Sequence, residues 1–180
     1  MMTLPPIITS AFIRLIALCA LCLSLAPSVI SAAHAQSTRD QQVAAAMIYN
    51  FARFTRWPDG AFGQDTAFRI CVDAEEALAP ALTALEARKL KGRSIRIAQT
   101  NTGETPSDCH MRLIRSDMDT STPSPNVLYV ALEEGAAPTA AMLELVKVGR
   151  QTRFVANPSL ARKTGLQLSS KLIDLAIQVK

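Results

Sequence analysis

The chain has 180 residues, with 19 Lys and Arg against 15 Asp and Glu, a net charge of +4, four Cys and two His. That length allows one domain with a leader. The charge is too mild for a nucleic-acid-binding surface, so no nucleic acid partner is expected.

Residues Met1–Ala35 read as a secretory signal peptide. Arg14 precedes the apolar run Leu15–Leu25, and Ala33-His34-Ala35 is a small-x-small cleavage site. The run is short of the roughly 20 residues that a membrane-spanning helix needs. Cleavage after Ala35 leaves residues 36–180, a single domain with 18 Lys and Arg against 15 Asp and Glu, a net charge of +3. The cysteines that stay are Cys71 and Cys109, and the histidine that stays is His110. Three or four convergent ligands for zinc are then missing, and a Ser–His–Asp triad would have to use His110. There is no G-x-S-x-G, P-loop or G-x-G-x-x-G. No catalytic residue, metal ligand or cofactor is expected, and the protein is read as a non-enzyme.

In Val43–Pro58, Val43, Met47, Phe51 and Phe54 recur at helical spacing beside a second row, Ala44, Ile48 and Ala52. The spacing predicts a helix that docks on a sheet, with Asn50, Arg53 and Arg56 on a wet face and a stop at Pro58. Ala67–Asp73 alternates as a strand. Glu75–Arg88 reads as a helix that starts near Ala77–Leu78, because Pro80 suits a first turn. Arg88–Arg93 is a basic turn, solvated or turned toward anionic headgroups or an acidic partner. Ser94–Gln99 and Cys109–Arg115 are further strands, with Met111 and Leu113 on one face. The Pro- and Ser-rich Ser116–Pro125 segment is too short for a long helix. Asn126–Leu132 is apolar throughout, as in a central strand buried on both faces. Met142–Val148 fits a helix or a strand, and Gly149-Arg150 before Thr152–Val155 favours a hairpin. Asn157-Pro158 opens a helix that Gly165 stops. Ser169 or Ser170 caps a last helix through about Ile177 that packs Leu172, Leu175 and Ala176. The fold class is α/β: one compact domain, a mixed and partly parallel sheet flanked by helices.

Five segments occur together and in order: A-x-x-YNFARF-x-x-WP at Ala46–Pro58, RICV at Arg69–Val72, DCH at Asp108–His110, RF-x-x-N at Arg153–Asn157, and A-x-x-x-GL-x-LSSKL at Ala161–Leu172. Together they resemble the YfiR-like family of bacterial periplasmic proteins. The resemblance implies a periplasmic α/β domain that binds the periplasmic part of an inner-membrane diguanylate cyclase and holds it inactive, lowering cyclic di-GMP and biofilm formation. It also implies homodimers, small-molecule ligands and a response to redox state in some members. Two departures stand out. Ala140-Ala141 replaces a Gly-Gly pair before the hairpin, and Ser116–Pro125 is short for the helix that relatives carry there.

With the family in view, Cys71 and Cys109 are expected to form a disulfide, since both sit in neighbouring strands of an exported protein. A groove for an anionic or aromatic ligand is expected from Arg56, Trp57, Asn157, Gln167, Ser169 and Lys171, which lie at chain segments that approach each other in the family fold. The alternative for Trp57 is a core-edge filler. The alternative function is a periplasmic sensor of small molecules that acts on another membrane receptor or transporter.

Overall fold

A computed structural model of the chain describes residues 27–64, 66–73, 76–100, 107–115, 122–135 and 139–180. Arg14, the run Leu15–Leu25 and most of Ser116–Pro125 lie outside the described residues. The chain divides into two compact units, residues 1–39 and 40–180. Of the first, the backbone from Pro27 onward is helical. The second holds the sheet and everything that follows. Among the described residues no helix is long and apolar enough to cross a membrane.

Helix α1 spans Pro27–Phe54. Its buried line is Ala45, Ile48, Phe51 and Ala52, and Phe51 meets Phe154 edge-on at 4.9 Å between centroids. Burying a side chain of that size is worth about 1.5–3 kcal/mol. Val43, expected in the stripe, is 41% exposed. It lies roughly 150° around the helix from the middle of the buried line, given 100° per residue. Asn50, Arg53 and Arg56 are exposed, as the spacing predicts.

The helix ends earlier than Pro58 requires. Thr55–Arg56 form strand β1, which pairs antiparallel with β9 (Gln167–Leu168). The last carbonyls of α1 find partners that the helix itself cannot supply. The Thr55 hydroxyl donates to Phe51 O (2.7 Å), Ser169 N–H donates to Phe54 O (3.0 Å), and the Lys91 ammonium donates to Thr55 O.

The main sheet has eight strands in the order β10-β8-β7-β6-β5-β2-β4-β3. They are β2 (Ala67–Asp73), β3 (Lys89–Leu90), β4 (Arg93–Thr100), β5 (Met111–Ile114), β6 (Leu128–Ala131), β7 (Leu143–Val148), β8 (Gln151–Ala156) and β10 (Gln178–Val179). Strands β4, β2, β5, β6 and β7 run parallel, while β3 and β8 are antiparallel to their neighbours β4 and β7. All four residues of β5 and of β6 are buried, which is why β6 carries no polar alternation. The expected hairpin at Gly149-Arg150 is present. Ala140 and Ala141 are both buried, and neither adopts a positive φ, so the Gly-Gly replacement needs no strained backbone.

The helices are shorter than expected. Helix α2 is Ala79–Thr83, followed by a 3-10 turn at Ala84–Ala87. Helix α3 is Pro158–Lys163, with Asn157 accepting the Leu160 N–H at 2.9 Å. Helix α4 is Ser170–Ile173, capped by Ser169, and stops four residues before Ile177. Beyond it Ile177 N–H and Lys180 N–H donate to Phe154 O and Ala156 O, so the chain turns into edge strand β10 and leaves Leu175 64% exposed. Lys180 then reaches the buried Glu144 carboxylate at 2.9 Å.

Candidate docking cleft at the switch point of the sheet

The topology selects one place. From β2 the chain moves outward to β4, then returns past β2 to β5 and continues the other way through β6 and β7. Connections leaving the carboxyl ends of β2 and β5 therefore diverge, and in open parallel sheets such a crevice is where ligands bind. A cleft of about 380 Å³ lies on this side of the sheet, lined from the loops after β2 and β6, the two neighbours of β5, and from α1 and β7. Ala44, Leu78, Leu132 and Leu145 give it an apolar floor, and Asp40, Glu76, Glu133 and Glu134 give it an acidic rim. Lys147 crosses the rim, bonded to Asp40 (2.9 Å) and to the Thr152 hydroxyl (3.0 Å). Glu76 accepts the Leu78 N–H at 3.2 Å and lies 3.7 Å from Arg115, which fixes one lip.

The same ends of the strands carry a buried ion pair. Arg112, on β5, is fully buried and donates to Asp73 at the end of β2 (2.6 Å) and to Thr100 at the end of β4 (2.8 Å). Three strands are thus tied beside the crevice. Removing one partner would leave a buried charge, a cost that makes the pair a positional lock more than a source of stability.

Cys71, within β2 and in register with Arg112, is joined to Cys109, just ahead of β5, by a disulfide with Cα atoms 5.9 Å apart and a sequence separation of 38. Cys109 and His110 border a second cavity of about 420 Å³. His110 is committed to the sheet: its N–H donates to Arg69 O, and its Nδ1 accepts the Arg69 N–H, both at 3.0 Å. Its ring stacks on Phe68 at 5.4 Å.

The six groove residues are partly assembled. Arg56 faces Gln167 across β1 and β9, and Ser169 N–H reaches the end of α1, so these three share one locus. Trp57 is buried edge-on to Phe68 at 5.2 Å, and its Nε1 donates to Asn126 O at 3.0 Å. Asn157 and Ser169 spend their side-chain oxygens on capping α3 and α4. Lys171 is exposed on α4. None of the six lines the cleft at the switch point. Sequence reasoning missed Arg112, Asp73 and Glu144, and placed none of the cleft residues. The one available signal was the continuous apolar run of β6, because a strand buried on both faces implies a neighbour buried on both faces, and that makes Arg112 an interior cation.

Fold and cleft together describe a small α/β domain with a crevice at a sheet switch point, an interior ion pair beside it and a disulfide that joins β2 to the approach of β5. The chain matches the DUF4154 (YfiR/HmsC-like) family over residues 41–177 and belongs to it. No curated protein matches the chain.

Proposed function

We propose that the protein is a periplasmic regulatory binding protein, exported by residues 1–35, that represses an inner-membrane diguanylate cyclase by docking on its periplasmic domain. Such a protein lowers cyclic di-GMP and biofilm formation by binding the inactive cyclase more tightly than the active one. It is not an enzyme on this reading, since its output is occupancy of a partner. Family membership over residues 41–177 is the observation that carries the proposal. The cleft supports it physically: an apolar floor with a carboxylate rim suits a partner segment that offers an apolar side chain flanked by Lys or Arg.

Cross-linking in intact cells followed by capture from solubilised membranes tests the reading. Recovery of a diguanylate cyclase, and its loss in a Glu133→Lys/Glu134→Lys variant, is expected. Recovery of a different receptor or a transporter would favour the second reading, a periplasmic small-molecule sensor, for which the cleft is within the size range of small-ligand sites.

A further inference from the structure

Acidic and basic groups are sorted to different places on this domain. While carboxylates rim the cleft, six cations gather around the outer sheet edge: Arg53 on α1, Arg56 on β1, Arg88 before β3, Lys89 on β3, Lys91 in the β3–β4 turn and Arg93 on β4. They form one connected surface. Arg88 lies 5.3 Å over the Tyr49 ring, and the Tyr49 hydroxyl donates to Lys89 O. The Lys91 ammonium lies 4.9 Å over Trp57 and bonds Thr55 O, next to Arg56. Arg93 lies 4.7 Å over Phe62, and Arg53 lies 5.7 Å over Phe54. The nearby carboxylates are Asp59 and Glu86, and Glu86 accepts the Ile97 N–H. Four of the six cations are thus held against aromatic rings, which orders them before any partner arrives.

From this surface we infer that the β3–β4 edge is a docking face for an anionic lipid bilayer. A bilayer meets an exposed sheet edge without needing a matching shape, and each cation near an anionic surface adds attraction. A protein partner would most simply take this edge by adding a strand. Here β3 is two residues long and carries Lys89, features that block strand addition. The crowding of like charges points the same way. Burial first, and the Arg56 guanidinium second, push the Lys91 amine below its ordinary value of 10.5, and an anionic surface relieves the second cause. The inference rests on the periplasmic reading above and deepens it, because it holds the repressor on the membrane in which its partner sits.

The test is cosedimentation of protein purified from periplasmic extract with phosphatidylcholine vesicles, with and without phosphatidylglycerol. Binding is expected only with phosphatidylglycerol and is expected to weaken as salt rises. At roughly fivefold per charge, Arg56→Gln with Lys89→Gln lowers the partition coefficient about 25-fold. Arg150→Gln with Arg162→Gln, an equal charge loss elsewhere, leaves it within about threefold. Thermal melts of both double variants check that the fold is intact. Equal losses in the two variants, or binding without regard to lipid charge, would overturn the inference. So would binding to polyglutamate but not to vesicles, which would assign the face to an acidic protein. No cyclase is present in this assay, so its failure counts against this face alone, and failed capture of a cyclase counts against the repressor reading.

Discussion

Replacing Cys71 and Cys109 together by alanine removes a bond that closes a 38-residue separation. In the chain-entropy model, the constraint that such a loop places on the unfolded chain is worth about 4 kcal/mol. Both residues are buried, so the alanines also delete two packed sulfur atoms, a further cost of about 1 kcal/mol. For a domain of this size each kcal/mol moves the melting temperature by about 3 °C, so the double variant should melt about 12–15 °C lower. Reduced wild-type protein keeps the sulfur atoms and should lose somewhat less, about 10–12 °C. Circular dichroism melts of oxidised, reduced and double-alanine protein make the comparison directly. If all three melt within about 2 °C, the bond constrains little and the reasoning is wrong. The linkage matters for function because the staple joins β2 to the approach of β5, the two strands that flank the switch point. Reduction should therefore weaken partner capture along with stability, and unchanged capture by reduced protein would make the bond a structural staple only.

The ion pair, the turn at Gly165 and Lys91 give three further expectations. Asp73→Asn, which leaves Arg112 buried beside a neutral group, should cost about 3–5 kcal/mol in urea unfolding, whereas Asp73→Leu with Arg112→Met should recover most of that loss. Gly165 adopts φ +88°, and a Cβ there would sit 2.8 Å from Asn126 Oδ1. Gly165→Ala should therefore destabilise by more than the roughly 1–2 kcal/mol of the left-handed backbone alone. Gly92, at φ +82° with open space around it, supplies the comparison, and equal losses at the two sites would contradict the crowding. The Lys91 amine is held below 10.5 in the folded protein, by burial and then by Arg56. Between its folded value and 10.5 the unfolded chain binds more protons, so wild-type stability should rise with pH across that window relative to Lys91→Gln. A difference between the two melts that stays flat up to pH 10.5 would refute this.

Much of the sheet was legible because its strands follow simple rules. Alternation gave β2 and β4, an unbroken apolar run gave β6, and Gly149-Arg150 decided that Met142–Val148 was half of a hairpin. Asn157-Pro158 marked α3, since a capping side chain and a proline at the first turn act locally. What failed depended on distant backbone. The early end of α1 goes with Ser169, whose N–H reaches the last carbonyl of the helix, Phe54 O, and with Lys91, which reaches Thr55 O in β1, both from far along the chain. The last helix gave way to β10 because Phe154 and Ala156 offered carbonyls to Ile177 and Lys180. The cleft was invisible for the same reason: its floor and rim come from α1, the loops after β2 and β6, and β7, and only the strand order brings them together. Of the groove residues, Trp57 fills a core edge and Asn157 and Ser169 cap helices, while Arg56, Gln167 and Lys171 are exposed.

The central claim is that occupancy of a membrane cyclase is what this protein does. Intracellular cyclic di-GMP measured in a strain lacking the gene tests it most directly. The account predicts a rise that the wild-type gene reverses and the Glu133→Lys/Glu134→Lys variant does not. A level that stays the same with and without the protein would contradict it.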